Sequence, residues 1–97
     1  MNKLQILKSA KEVLIIESKA INDLAKNLND DFFKAVKSIE SLKGKLIISG
    51  VGKSGNIASK IAASFTSTGI PSVFLNPVDA SHGDMGIVRA EDILIML

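Results

Sequence analysis

Residues 46–55 read Leu-Ile-Ile-Ser-Gly-Val-Gly-Lys-Ser-Gly, and this stretch decides the fold. Its first half is a short apolar run, typical of a buried strand in a parallel sheet. Its second half is a glycine-rich turn with one lysine, and a helical pattern begins directly behind it. This junction directs backbone N–H groups, the positive end of a helix and an ammonium group at one point. It therefore predicts a site for a phosphate or another small anion.

The elements around this stretch predict an α/β fold. Apolar spacing, caps and breakers place two helices first and then strands that alternate with helical segments. The predicted elements are helices over 3–28 and 31–42, a strand over 45–49, a helix over 54–68, a strand over 72–75, a loop with a short helical turn over 78–85, and a strand over 92–97. This order implies a parallel sheet with right-handed crossovers.

The apolar faces of the helices give a predicted core. The second helix is expected to bury Phe32 or Phe33, Val36, Ile39 and Leu42, with Gly44 as its C-terminal cap. On the third helix, Ile57, Ile61, Phe65 and Thr68 form the predicted inner face, and Gly69 ends the helix. The first helix carries a wide apolar stripe, which predicts packing on the sheet of this domain, a dimer contact, or both.

Composition excludes several classes of function. The chain has 97 residues, enough for one small domain, and its 12 basic and 10 acidic residues give a net charge of +2. This balance argues neither for nor against nucleic acid, but aromatic residues are only 4%, all Phe, so base-stacking surfaces are not expected. Cysteine is absent, which excludes disulfides and thiolate metal sites and predicts a cytoplasmic location. No apolar run is long enough for a membrane span, so no membrane partner is expected.

The glycine turn has alternative interpretations. Residues 50–55 satisfy the dinucleotide pattern G-x-G-x-x-G, but no acidic residue lies about 20 residues further on to hold a ribose hydroxyl. The G-x-x-x-x-G-K-S phosphate loop is excluded because Ile47 stands where its first glycine is required. A third interpretation stays possible at this point. The glycines would only form a tight turn, and Lys53 would be a solvated surface charge without a function.

A second polar cluster favours a functional site. Ser81-His82-Gly83-Asp84 follows the second predicted strand and includes the only histidine of the chain. It is expected at the same carboxyl edge of the sheet as the glycine turn, where ligands of open parallel sheets bind. One histidine without cysteine does not make a complete metal site, so no metal and no cofactor are predicted.

Three motifs together resemble the arabinose-5-phosphate isomerases, which carry the sugar isomerase (SIS) domain. They are Gly-Lys-Ser-Gly at 52–55, Ser-Thr-Gly-Ile-Pro-Ser at 67–72 and His-Gly-Asp at 82–84, in this order and spacing. The resemblance covers almost the whole chain. It implies a three-layer α/β/α fold of flavodoxin-like type with a parallel sheet. Residues 1–97 would be the N-terminal portion of a single SIS domain, so the fold would be truncated to its N-terminal half and preceded by two helices.

The resemblance also implies a function. It is the interconversion of D-arabinose 5-phosphate and D-ribulose 5-phosphate, which supplies 3-deoxy-D-manno-octulosonate for lipopolysaccharide or capsule, by an enzyme that self-associates as a dimer or tetramer. Lys53 would be catalytic. The implied substrate-binding residues are Gly52, Lys53, Ser54, Gly69, Ile70 and His82. Aldose–ketose isomerisation needs a base and donors for a developing oxyanion, and such donors fit these residues.

The sequence departs from the family in two respects. Asn76 stands where some relatives have a metal-binding histidine, so no comparable metal affinity is expected. The chain also stops in the apolar run 93–97, before the family's serine-rich phosphate loop and its candidate bases, so the 97 residues alone are expected to have little isomerase activity. Two alternatives stay open: a non-catalytic SIS sensor of sugar phosphates, although residues 3–42 lack a basic DNA-recognition face, and an SIS isomerase of heptose or hexose phosphates.

Overall fold

The computed structural model describes all 97 residues, as two compact units, Met1–Ala35 and Val36–Leu97. The elements follow the predicted order closely. They are α1 Lys3–Lys26, α2 Asp30–Glu40, β1 Leu46–Ser49, α3 Lys53–Ser67, β2 Ser72–Phe74, α4 Pro77–Ser81, a 3-10 helix at Asp84–Ile87, and β3 Ile93–Met96. None of the helices combines the length and apolar character needed to cross a lipid bilayer.

In the first unit, α1 begins with a reciprocal capping box. The Asn2 side chain accepts from the Gln5 N–H, and the Gln5 side chain accepts from the Asn2 N–H, each at 2.9 Å. No residue of α1 is buried, so its apolar stripe is uncovered in this chain. Packing of this stripe on the sheet of the domain and a dimer contact both stay predictions.

The start of α2 differs from the prediction. The helix begins at Asp30, one residue before the predicted start, and the Asn29 side chain caps it by accepting from the Asp31 N–H at 3.0 Å. Phe32, Phe33 and Val36 are exposed, so their predicted burial is wrong.

The end of α2 behaves as predicted. Ile39 and Leu42, near this end, pack against the hydrophobic core of the second unit. Only the last turn of the helix and the residues after it carry the predicted apolar contact.

The second unit is built on a three-stranded parallel sheet in the order β2-β1-β3. Ile47 of the central strand lies opposite Val73 on one side and Leu94 on the other. At the carboxyl edge, the Leu75 N–H donates to the Ile48 carbonyl at 3.0 Å and the Leu97 N–H donates to the Ser49 carbonyl at 2.9 Å. The predicted parallel sheet is confirmed, with β1 at its centre.

Helix α3 covers one face of this sheet with small residues. Its buried positions are Gly55, Ala58 and Ala62. Ala58 and Ala62 form the core cluster with Leu46 and Ile48 of β1, and Ile61 and Phe65 pack against this cluster. Ile57 is exposed and Thr68 is the C-cap, so both were wrongly assigned to the inner face. The physical reason is that small side chains let a helix approach a sheet closely, whereas larger ones fill the margins of the contact.

An ion pair fixes the start of β1 to the start of β3. The buried Asp92 carboxylate accepts from the Lys45 ammonium at 2.7 Å, from the Lys45 N–H at 2.9 Å and from the Arg89 N–H at 2.7 Å. Gly44 was predicted to cap the C-terminus of α2, and this prediction is wrong. Its φ is not positive, and a Cβ there would collide with the Asp92 side chain, so the residue is needed for close approach.

Asp92 makes the stability of the fold depend on acid pH. The side-chain hydrogen bond from Lys45, with the backbone bonds from Lys45 and Arg89, lowers the Asp92 pKa from 3.8 to about 2. The unfolded state binds the proton more readily, so this stabilisation is complete above about pH 4 and is lost as the pH falls to about 2. We expect the urea midpoint to decline over that range and Asp92→Asn to flatten the decline. Asp23→Asn, on exposed α1, is the control and should leave the profile unchanged.

Candidate anion-binding site

The glycine turn and the histidine cluster lie at the same edge of the sheet. The turn follows β1 and leads into α3, and α4 follows the neighbouring strand β2. The ends of these two strands are joined by the buried Ser49 hydroxyl, which donates to the Leu75 carbonyl at 2.6 Å. The carboxyl edge therefore holds both predicted motifs, as the topology of a parallel sheet requires.

The turn presents an uncapped helix N-terminus. Gly52 is the N-cap, with φ 60° and ψ −126°, a conformation that side chains rarely adopt, and it provides no side-chain cap. The first N–H groups with acceptors are those of Gly55 and Asn56, which donate to Val51 and Gly52. The N–H groups of Lys53 and Ser54 have no acceptor in the protein. These two donors, at the positive end of a 15-residue helix, are available for an anion.

Lys53 is the first residue of α3, and its ammonium group forms no ion pair or hydrogen bond within the chain. Both Lys53 and Ser54 are exposed. An unpaired ammonium beside free N–H groups is the combination that binds phosphate through charge and directed hydrogen bonds. The structure therefore gives residues 52–54 an uncapped helix start and an unpaired lysine, and an anion site there stays a prediction.

His82 lies at the C-cap of the short helix α4. Asn76 begins this helix, because its side chain accepts from the Val78 N–H at 2.8 Å and the Asp79 N–H at 3.3 Å. The His82 N–H donates to the Asp79 carbonyl at 3.0 Å, while its exposed imidazole has no partner in the chain. The imidazole is therefore free to meet a ligand, and Asn76 has a capping role that sequence reasoning missed.

The structure places Gly69 and Ile70 away from this group. They follow the end of α3 and precede β2, and the neighbouring Pro71 carbonyl accepts from the N–H of Leu46, the first residue of β1, at 2.8 Å. Both lie at the amino edge of the sheet, opposite the edge that holds Lys53. The structure therefore brings residues 52–54 and His82 to one edge and leaves the other two outside that cluster.

A structural role accounts for both residues. Gly69, with φ +91°, donates its N–H to the Thr66 carbonyl at 3.1 Å, and Ile70 donates to the Phe65 carbonyl at 3.1 Å. This pair of bonds is the Schellman motif that ends many helices, and Ile70 and Phe65 both pack on the core.

Gly69→Ala is expected to lower the free energy of unfolding by about 1 kcal/mol, because an alanine Cβ is strained at this φ. Urea denaturation measures the change. Gly86→Ala is the matched control, since its φ is not positive and nothing lies within 4 Å of an added Cβ. An equal loss in both variants would contradict the strain argument.

An apolar cavity of about 240 Å³ opens at the same carboxyl edge, between β3 and α4. Its lining includes Ser49, Leu75, Pro77, Ala80, Met85, Leu94 and Met96. Neither Lys53 nor His82 lines it, although both lie at the same edge of the sheet. No group of acidic or histidine side chains has a metal-binding arrangement.

The chain is similar in sequence to several known proteins. No protein-family model matches the chain. It is 40% identical over 94 residues to the arabinose 5-phosphate isomerase KdsD of Pseudomonas aeruginosa, covering 97% of this chain and 29% of that protein. It is 39% identical over 92 residues to the arabinose 5-phosphate isomerase GutQ of Salmonella typhi, covering 95% of this chain and 29% of that protein.

A solved structure extends the similarity to the backbone. The Escherichia coli CFT073 protein c3406, in complex with arabinose 5-phosphate, matches with a TM-score of 0.92 and 38% identity over 99% of this chain and 51% of that chain. The chain is a homologue of arabinose 5-phosphate isomerases. Its α/β fold corresponds to a partial SIS domain. It spans less than a third of the curated relatives and about half of the solved chain.

Proposed function

We propose that this chain is part of a sugar-phosphate isomerase that interconverts D-arabinose 5-phosphate and D-ribulose 5-phosphate, and that its glycine turn contributes an anion-binding group to the substrate site. The observation that carries the proposal is the uncapped N-terminus of α3, with the unpaired Lys53 ammonium at its first residue. Support comes from relatives named arabinose 5-phosphate isomerase and from the relative whose structure holds arabinose 5-phosphate.

The proposed site supplies electrostatic stabilisation. Isomerisation removes a proton next to a carbonyl and passes through an enediolate, whose negative charge must be met by fixed donors. Lys53 and the free N–H groups at the start of α3 would hold the phosphate or this oxyanion. His82, exposed and unpartnered at the same edge, would orient a sugar hydroxyl or assist ring opening. Gly52 would give the ligand access to these N–H groups because it has no side chain.

The proposed enzyme has a pathway, a location and an oligomeric state. The product would supply 3-deoxy-D-manno-octulosonate synthesis for lipopolysaccharide or capsule, in the cytoplasm. The uncovered apolar stripe of α1 supports self-association as a dimer or tetramer, because exposed apolar surface of this extent favours an interface. No cofactor is proposed.

The function is tested by turnover in a single polypeptide that joins residues 1–97 to the part of the E. coli chain that they do not match. Conversion of D-arabinose 5-phosphate to the ketose is expected, with slower turnover of hexose and heptose phosphates. An NMR titration of the 97-residue chain with the same pentose phosphate should shift the Lys53 and Ser54 amides. Binding without turnover in the fusion would favour the sugar-phosphate sensor, and preference for a hexose or heptose phosphate would overturn the substrate assignment.

A further inference from the structure

The segment that carries His82 packs loosely on the sheet. Residues 77–88, here called the histidine segment, form α4 and the 3-10 helix on the path from β2 to β3. Every residue from 81 to 88 is exposed, and neither helical element has a buried residue. The cavity of about 240 Å³ is lined by Ala80 and Met85 of this segment and by Leu94 of β3. Polar contacts at the two ends of the segment therefore set the position of His82.

Lys45 holds the far end of the histidine segment. This residue directly precedes β1, and its carbonyl accepts from the Ile93 N–H at 3.1 Å, so its backbone is fixed in the sheet. Its ammonium donates to the Ile87 carbonyl at 2.5 Å and to the Asp92 carboxylate at 2.7 Å. The side chains of Lys45 and Asp92 are only 25% and 3% exposed. Hydrogen bonds between charged groups that are shielded from water are stronger than a surface ion pair.

Arg89 completes this attachment. Its backbone N–H donates to the Asp92 carboxylate at 2.7 Å, and its guanidinium donates to the carbonyls of Gly86 at 2.6 Å and Val88 at 3.1 Å. Together Lys45, Arg89 and Asp92, here called the tether, close the backbone of residues 86–92 around one buried carboxylate. This end of the histidine segment therefore has one defined position relative to β1.

The 3-10 helix connects the tether to His82. Its Gly86 N–H donates to the Gly83 carbonyl at 3.1 Å. Gly83, with φ +126°, joins this helix to α4, and an added Cβ there would have no neighbour within 4 Å. Because a glycine joint allows two short helices to rotate against each other, the imidazole keeps one position only while the far end is anchored.

We propose that the tether positions His82 for the sugar phosphate, so that Lys45, Arg89 and Asp92 are positioning residues that do not touch the ligand. Lys45 and Asp92 precede β1 and β3 and lie at the amino edge of the sheet, opposite the edge that holds His82. The tether therefore acts through the backbone of the histidine segment. This proposal rests on the proposed function, because it assigns His82 to a ligand at the carboxyl edge.

Backbone order in the 97-residue chain tests the tether without any ligand. Lys45→Met keeps the apolar stem but removes both ammonium bonds, and the NMR order parameter of His82 should fall from about 0.85 to about 0.6 or below. Residues 46–48, which are fully buried in β1, should keep their order. Lys45→Arg retains the charge and should restore the parent value. Lys43→Met is the matched control, because it removes an exposed lysine two residues away.

Arg89→Ala is a second variant, because the unpaired Asp92 carboxylate can destabilise Lys45→Met as a whole. It removes the two guanidinium bonds and leaves the buried ion pair in place, so the order of His82 should decline to a smaller extent in a stable fold. Unchanged order at His82 in either folded variant overturns the proposal. An equal loss of order in β1 and in the histidine segment also overturns it, because the tether would then only stabilise the fold.

Turnover in the fused polypeptide tests whether this position matters to the reaction. Lys45→Met should lower kcat by about 10-fold with little change in KM, because the imidazole is misplaced and not removed. In a His82→Ala background, Lys45→Met should have no further effect, and an equal loss in both backgrounds would contradict positioning through His82. A fusion without turnover, in a chain whose His82 loses order as expected, would contradict only the isomerase assignment.

Discussion

Gly55→Ala is expected to destabilise the fold by about 3 kcal/mol, although alanine is the better helix former. Gly55 lies in the first turn of α3, where a Cβ would stand 2.7 Å from the Gly50 carbonyl oxygen and 3.5 Å from the Phe74 ring. The oxygen belongs to the backbone of the turn, so relief requires α3 to move away from β1. Because Ala58 and Ala62 hold the same helix on the core, this movement would loosen the whole contact.

The decisive observation is whether Gly55→Ala raises or lowers the free energy of unfolding. In an ordinary helix interior the same substitution stabilises by roughly 0.5–1 kcal/mol, so urea denaturation distinguishes a collision from a simple change in helix propensity. Asn56→Ala, on the exposed next residue of α3, is the control and should be neutral or slightly stabilising. A Gly55→Ala variant that is as stable as the parent would contradict the close packing of the turn on the helix.

Much of the fold follows from local sequence signals. The breakers around residues 50–52, 69–71 and 76–77 separate the segments, and the β-branched run before the glycine turn identifies the central strand. The inner face of α3 could not be predicted in the same way. Hydrophobic periodicity favours large residues such as Ile57, whereas close approach to the sheet selects Gly55, Ala58 and Ala62, which have little or no hydrophobic signal.

Contacts between residues that are distant in the sequence could not be predicted either. Lys45 and Asp92 are 47 positions apart, and nothing local marks them as partners. Ser49 gave a weak signal, as a polar residue at the end of an apolar run, and its bond to Leu75 connects the two loops of the site. The motif residues 52–54 and His82 could be assigned to one edge by topology alone. Gly69 and Ile70 entered the site only through the family resemblance, and the fold gives them a helix-ending role.

Lys53→Ala is expected to remove most of the proposed activity. In the fused polypeptide, turnover of D-arabinose 5-phosphate should fall by about 10²–10³-fold, the usual effect of losing one donor to an oxyanion. In the 97-residue chain, affinity for the same sugar phosphate should fall by about 10–100-fold, because a hydrogen bond from a charged group contributes roughly 1.5–3 kcal/mol. The fold should be unaffected, since the Lys53 side chain is exposed and forms no hydrogen bond or ion pair within the chain.

Lys60→Ala is the matched control for Lys53→Ala. Lys60 is an exposed lysine of the same helix, seven residues from its start, so the variant removes the same net charge without touching the uncapped N–H groups. Equal losses in the two variants would mean that Lys53 acts only through overall charge. Because screening weakens such long-range effects, raising the salt concentration should then erase the loss, whereas a direct contact at the helix terminus retains a difference between Lys53→Ala and Lys60→Ala. Turnover near the parent value in Lys53→Ala would remove this lysine from the mechanism.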